Sequence, residues 1–340
     1  MLPDLSVPLV AAPMAGGPST PALVVAVGEA GGLGFLGAGY KTVDAVRAEI
    51  EEVRRRSTRP FGMNVFLAGS PTADPGAVDV YRGALAADAA ALGVEAGEPR
   101  WEDDEVAAKL AVVAGVPLVS LTFGCPPRDL VGVLQDAGSR VLLTVTSLDE
   151  ARLAAEVGPD ALWVQGEQAG AHRGTFADVP ADEGGVAPGV PLLDLLDIVR
   201  ATTDLPLIAA GGLMDGADVR AALEHGATWA AMGTAFLGCP EAATTATHLA
   251  ALQDPRFGAT TMTRAFTGRP ARALVNDFVR AHDAEARSAY PEVHHVTRPL
   301  RTAAAAAGDP HRLHLWAGTG WQRLRPMPAA DLVRTIAAEL

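Results

Sequence analysis

The stretch Leu207-Ile208-Ala209-Ala210-Gly211-Gly212, an amphipathic segment over 215–225, and then Trp229-Ala230-Ala231-Met232-Gly233-Thr234 read as strand, helix, strand. Both apolar runs are nearly continuous rather than alternating, as expected of parallel strands buried on both faces. Each ends in glycine. Six similar runs precede them, over 8–13, 33–38, 61–66, 118–124, 141–146 and 161–166. Amphipathic stretches lie between, among them 42–56, 128–137, 148–157 and 192–202. Eight strands with intervening helices are the tally of an α/β (β/α)8 TIM barrel over 1–240, which that count favours over an open doubly wound sheet.

The insert 71–116 is longer than one crossover needs and predicts two helices, around 79–92 and 101–114. Residues 241–310 are rich in Ala, Thr, Arg and His and show no convincing strand. They predict a mainly helical C-terminal subdomain over the barrel mouth. Residues 311–340 are expected to return to the barrel and finish in an amphipathic helix.

Composition narrows the function. The 340 residues carry 27 Lys and Arg against 40 Asp and Glu, a formal net charge of −13. That balance argues against a nucleic-acid or polybasic membrane surface, both of which need a cationic footprint. Two cysteines, Cys125 and Cys239, cannot build a disulfide scaffold or a four-thiolate zinc site. The uncharged stretch 5–28 is long enough for a membrane span, but Pro8, Pro13, Pro18 and Pro21 would break it. With no cationic signal region at the start, a cytoplasmic protein is expected.

In such barrels the chemistry sits at the C-terminal ends of the strands. Glycines after the seventh and eighth runs, Gly211-Gly212 and Gly233-Thr234, let backbone N–H groups approach a phosphate. The plainer reading, tight turns and nothing more, is the less favoured. Gly32-Leu33-Gly34-Phe35-Leu36-Gly37 matches the dinucleotide pattern letter for letter, but it lies inside a run and after a helix. These glycines are assigned to packing.

His172, after the sixth run, is the strand-end residue whose ordinary pKa suits a general base. Its plainer reading is a loop cap, or a hydrogen-bond donor without proton transfer. Asn64 is polar inside an apolar run and needs partners, which a bound ring edge would supply. His225, His248, His282, His294, His295, His311 and His314 show no ligand spacing, so no metal is expected. The adjacent His294 and His295 read as a surface pair. Cys125 and Cys239 read as buried small hydrophobes.

Taken together, Ala12-Pro13-Met14-Ala15-Gly16-Gly17, Gly62-Met63-Asn64-Val65-Phe66, the stretch from Gln165 to Gly174, Ala209-Ala210-Gly211-Gly212, Gly233-Thr234 and Leu315-Trp316-Ala317-Gly318 resemble the nitronate monooxygenase family, class I bacterial type. The resemblance implies an FMN-containing barrel that uses O2 to convert propionate 3-nitronate or alkyl nitronates to carbonyl compounds and nitrite. It implies flavin contacts at Met14, Ala15, Asn64, Gln165 and Gly170. Phosphate contacts would fall at Gly212, Ala231, Met232, Gly233 and Thr234, with His172 as the catalytic residue. Trp316 is expected to close over the flavin or substrate, its plainer reading being a core residue of the returning C-terminal segment. Gln168, Ala171 and Thr319 depart from the family pattern, which commonly has Glu, Gly and Gln there. Implied partners are the small nitronate and O2, with a homodimer allowed.

Two rivals remain. An FMN-dependent NAD(P)H reductase, enoyl-ACP or quinone, would share the scaffold, although related enoyl reductases tend to carry Glu where this chain has Gln165. A phosphate-binding isomerase or aldolase needs a strand-end lysine or carboxylate pair, and Lys41 and Lys109 end no run.

Overall fold

The computed structural model describes residues 1–67, 69–178, 186 and 188–340. The chain runs β1 (Leu9–Ala11), α1 (Pro21–Glu29), β2 (Leu33–Gly37), α2 (Val43–Arg56), β3 (Gly62–Phe66), α3 (Pro75–Ala84), α4 (Ala86–Ala91) and α5 (Val106–Val113). It continues β4 (Leu118–Thr122), α6 (Arg128–Asp136), β5 (Arg140–Val145), α7 (Leu148–Glu156), β6 (Ala161–Gln165), a short β7 (Ala171–His172) and α8 (Leu192–Arg200). Then follow β8 (Leu207–Ala210), α9 (Gly216–Glu224), β9 (Trp229–Met232), α10 (Ala246–Gln253), β10 (Thr260–Thr263), β11 (Ala271–Leu274), α11 (Asp277–His282), α12 (Glu292–Ala307) and α13 (Ala329–Glu339).

Eight parallel strands, β1 to β6 with β8 and β9, close into a (β/α)8 barrel. Val10 closes the ring, opposite Leu33 of β2 on one side and Ala231 of β9 on the other. The helices start where short polar side chains satisfy their first amides. Thr20 accepts from Leu23 N, with Pro21 at the first position of α1, and Asp215 accepts from Asp218 N at the head of α9.

The strand pleat sorts side chains between two cores. Val119 and Leu121 of β4, with Leu162 and Val164 of β6, pack outward among the helices. Leu118, Phe35, Trp163 and Trp229 fill the barrel interior, where Phe35 and Trp163 meet edge to face at 5.0 Å. A side chain at Gly62 would overlap the Phe35 ring, so glycine there makes room for this plug. Toward the C-terminal ends the inward positions turn polar, to Asn64, Ser120, Thr122, Thr144 and Gln165. That switch, from apolar to polar along one strand face, is what turns a packed core into a site.

Gly34 and its neighbours lie in β2, as the packing reading requires, since a Cβ on Gly34 would sit 2.5 Å from Val24 Cα. Two expectations change. The insert 71–116 forms three helices, not two. Within 241–310 stand two strands where none is expected: β10 and β11 pair antiparallel, and β11 pairs with β7 of the loop after β6. Both are short, and Thr260-Thr261-Met262-Thr263 is mostly polar, so only long-range pairing makes them strands.

The cap over the mouth has its own core, shared by distant segments. Val78, Tyr81, Leu85 and Ala89 of α3 and its surroundings pack on Phe266, Phe278, Val293 and Leu300. The Tyr81 hydroxyl donates to Ala265 O at 2.6 Å. The final segment crosses the mouth, where Gly318 N donates to Thr234 Oγ1 at 2.9 Å, and ends in α13 against α1 and α9.

Candidate active site

One cavity of about 730 Å³ opens under the cap at the C-terminal ends of the strands. Met14, Ala15, Asn64, Gln165, Gly170, His172, Gly212, Ala231, Met232, Gly233 and Thr234 all line it. Residues spread over 221 positions of sequence thus meet in one space, although what each does there is a separate question.

The loop after β6 is held from several sides. Gln165 donates from Nε2 to His172 O at 3.0 Å and accepts from Gly174 N at 2.7 Å. His172 lies opposite Ala271 in the β7–β11 pairing. The Arg272 guanidinium donates twice to Glu167 O. A Cβ on Gly170 would come within 2.5 Å of Gly318 N, so this glycine lets the loop and the C-terminal strap touch backbone to backbone. His172 is therefore placed by a clamp, not by a flexible tip.

Its ring sits among Phe66, Phe123, Tyr290 and Trp316, with centroid distances of 5.6 to 6.4 Å. Nε2 lies 2.9 Å from Thr267 Oγ1. The Thr267 hydroxyl has one proton, which we assign to Arg269 O at 3.2 Å. It then accepts from His172, which puts the imidazole proton on Nε2 and leaves Nδ1 as a lone pair. Burial first, then the guanidinium groups of Arg269 and Arg301, push the His172 pKa down to about 3. The ring is neutral throughout the physiological range. It is built as an acceptor, and a weak base.

Several sequence readings are corrected. Asn64 lines the cavity and its burial already has protein partners, since Nδ2 donates to Ser120 O, Ser120 Oγ and Thr122 Oγ1 at 2.9 to 3.2 Å. His294 and His295 are no surface pair; they are 6% and 5% exposed. His294 stacks flat on Tyr40 at 4.3 Å and its Nδ1 takes a hydrogen bond from Arg301. Cys239 is buried but Cys125 is only half-buried. Trp316 lines the cavity, edge-on to Phe266 and bridged to Ala273 of β11.

The departures at Gln168, Ala171 and Thr319 also find physical readings. Gln168 points away from the cavity and its Oε1 caps α8, accepting from Leu192 N at 3.0 Å. Thr319 N donates to Gln168 O at 3.0 Å, part of the strap's hold on the loop. Ala171 adopts φ +61, a left-handed conformation that disfavours any Cβ. Ala171→Gly is expected to stabilise the protein by about 1 kcal/mol in urea unfolding, since relief of that strain outweighs the freedom glycine adds to the unfolded chain. A destabilised variant would show that the loop does not strain Ala171.

The residues that sequence reasoning missed are Tyr40, Thr267, Arg269 and Arg301. Only one signal was available. His294, Thr297 and Arg301 fall at spacings of three and four, a polar stripe on one face of α12, and all three are buried. Among the described residues no cluster of His, Cys, Asp and Glu could hold a metal ion, and no helix is long and apolar enough to cross a membrane.

A closed (β/α)8 barrel with one roofed cavity, polar strand ends and a buried neutral histidine defines an enzyme of the class that works on a small molecule at the barrel mouth. The nitronate monooxygenase family model matches residues 2–339, and the chain belongs to that family of oxidoreductases. It is 39% identical to a nitronate monooxygenase of Pseudomonas aeruginosa, covering 98% of this chain and 96% of the relative. A nitronate monooxygenase of Paraburkholderia phytofirmans is 37% identical, over 100% and 94% of the two chains. Among solved structures, nitroalkane oxidase from Streptomyces ansochromogenes superposes with a TM-score of 0.95 at 49% identity, covering 99% of this chain and 96% of that one. FabK from Thermotoga maritima gives 0.75 at 25% identity, over 98% and 93%.

Proposed function

We propose that the protein binds FMN and oxidises nitronates with O2 to carbonyl compounds and nitrite. The observation that carries this reading is the join of two features in one cavity. Glycine-lined ends of β8 and β9 form one wall, and an acceptor histidine in an aromatic cage forms another. The cavity's size is within the range that encloses ligands of drug or cofactor dimensions.

The residues fit such a group. A Cβ on Gly233 would make ordinary van der Waals contact with Met14 and Ala12 at 3.8 to 3.9 Å, so the position tolerates a side chain beside the head of a 3₁₀ turn, Thr234–Gly238. Backbone amides of Gly212, Gly233 and Thr234 would hold the phosphate, with the Thr234 hydroxyl free to donate while accepting from Gly318. The loop 13–18 and the polar strand ends would hold the ring. When bound, FMN supplies the electron acceptor and the reaction with O2. The chain's own work is to orient the substrate, exclude bulk water under the cap, and keep His172 neutral with Nδ1 free.

Gly233→Val tests the cradle. The variant is expected to fold, since its Cβ clashes with no neighbour, but to purify with little FMN as read by its visible absorbance. Full FMN occupancy with unchanged affinity would place the phosphate elsewhere. Gly212 is the poorer probe, because φ is +75 and a Cβ would lie 2.8 Å from Gln168 Cβ, so substitution there disturbs the loop itself. The reductase rival predicts rapid anaerobic bleaching of the flavin by NADH or NADPH, and the expected result here is slow or no bleaching.

A further inference from the structure

We propose that the buried Lys109–Asp104 ion pair is a positioning device: from the insert outside the barrel it grips the backbone of Tyr40 and holds that hydroxyl in the cavity wall as a hydrogen-bond donor to the oxygens of a bound nitronate. This rests on the nitronate reading above and adds to it the residues that place the donor.

Lys109 lies on α5 and is 1% exposed, an unusual place for a lysine. Asp104 Oδ1, 2.6 Å from Nζ, is its one polar partner among the described residues. The same carboxylate accepts from Tyr40 N, which lies 3.3 Å from each oxygen and 64 positions earlier in the chain. Beside Tyr40, Lys41 pairs with Glu49 of α2 at 2.7 Å, so the turn that carries the ring is tied on both sides.

The backbone is strained where these groups meet. Tyr40, Asp104 and Glu105 adopt φ +66, +55 and +53, the left-handed region that a Cβ disfavours. Among the described residues two other non-glycine positions do the same: Ala171, which precedes His172, and Phe123, whose ring lies 5.7 Å from that of His172. Strain of this kind persists where the surroundings over-determine it, and it gathers at active sites. A pair that only pinned the insert to the barrel would call for none of it. Stability alone would not call for the pair either, since apolar residues of similar volume often do as well as a buried ion pair.

What the pair holds is part of the site. Tyr40 lines the cavity, stacks flat on His294 at 4.3 Å and meets Phe66 edge to face at 5.9 Å. We assign its hydroxyl as acceptor from the Tyr290 hydroxyl at 3.1 Å, which leaves its own proton with no described residue as partner. Tyr290 in turn packs 5.8 Å from His172. Burial pushes the Tyr40 phenol up to about 12, so the hydroxyl keeps its proton. The lone pair on His172 Nδ1 cannot hold the oxygens of a nitronate, whereas a phenol proton can.

The test replaces the pair by neutral groups. Glycine takes φ +55 freely, so Asp104→Gly with Lys109→Met removes both charges without straining the backbone. Tyr40→Phe removes the donor alone. On propyl nitronate Tyr40→Phe is expected to cost roughly 10- to 100-fold in kcat/KM, and loss of the pair about tenfold. In the Tyr40→Phe background, loss of the pair should cost under about twofold more, while the urea midpoint falls equally in both backgrounds. Losses that multiply in full would show the pair acting on the fold and not through Tyr40, and would overturn the proposal, as would an unchanged kcat/KM in Tyr40→Phe. A second readout needs no turnover. The chain has three tyrosines, Tyr40, Tyr81 and Tyr290, so 3-fluorotyrosine labelling gives three fluorine resonances, that of residue 40 being the one lost in Tyr40→Phe. It should be displaced or broadened in the protein without the pair, and an unmoved line overturns the proposal. Should the double variant not fold, Lys109→Met alone is read by the same criteria. A protein that oxidises no nitronate yet shows the displaced line would sink the nitronate reading and leave the positioning pair standing.

Discussion

Replacing His172 by asparagine is expected to cut oxidation of a nitronate by about 10- to 100-fold, the worth of one oriented polar contact beside the reacting atoms. Any neutral nitroalkane that the wild type accepts should suffer more, by roughly 10²- to 10⁴-fold, because a general base is then removed. The geometry explains the order. With Thr267 assigned as acceptor of a hydrogen bond from Nε2, Nδ1 is the atom available to a substrate, and an acceptor there can receive an α-proton. A pKa near 3 makes it a poor one, so the wild type itself should prefer substrates that arrive already deprotonated. Once the ionisation of the substrate is allowed for, kcat/KM for a nitronate should be flat from pH 5 to 8. A rise with a midpoint near 6.5 would mean that His172 titrates normally and that its burial has been misjudged. Equal losses on both substrate types would leave positioning as its whole role.

Acid is expected to unfold this protein well before its carboxylates titrate. Burial, with Arg301 as a contributor for three of them, depresses the pKa of His172 to about 3 and of His248 to about 4, and takes His294 and His314 well below the ordinary value. In the unfolded chain each returns to about 6.5. Above that pH both states are neutral and these groups contribute nothing. Below it the unfolded state binds more protons, so stability falls with falling pH, by up to about 1.4 kcal/mol per unit for each histidine. Carboxylates such as Asp88, whose pKa is lowered by His282 and Arg312 against its burial, act in the same direction but only near and below pH 4. Urea midpoints at pH 7, 6 and 5, with flavin content matched, should drop progressively. Substituting His248, whose Nε2 donates to Trp316 O, by glutamine should flatten that slope by one group's share. Midpoints that do not move between pH 7 and 5 would show these rings protonated or solvated in the folded state.

How much of this was legible beforehand divides along a physical line. The eight buried runs, their order and their glycine ends followed from hydrophobic periodicity, because a parallel strand covered on both faces leaves a continuous apolar signature whatever surrounds it. Gly212, Gly233 and Thr234 were readable for the same reason: they sit at strand ends, and a closed barrel brings all strand ends to one mouth, whereas Met14, Ala15 and Gly170 were implied by the family resemblance. The strands β10 and β11 were not readable. Thr260-Thr261-Met262-Thr263 becomes a strand only because Ala271-Arg272-Ala273-Leu274 lies beside it, itself paired with the His172 loop a hundred residues earlier. The same holds for what tunes the site. Nothing local to His172 tells that Thr267 sets its proton, that Arg269 and Arg301 lower its pKa, or that His294 is buried against Tyr40. The sequence by itself determined which barrel strands form and that their ends line the mouth, since those depend on local pattern. Which charges end up buried together, and therefore how the histidine behaves, was decided by the cap closing over the barrel, because desolvation and Coulomb energy depend on distance in space and not along the chain.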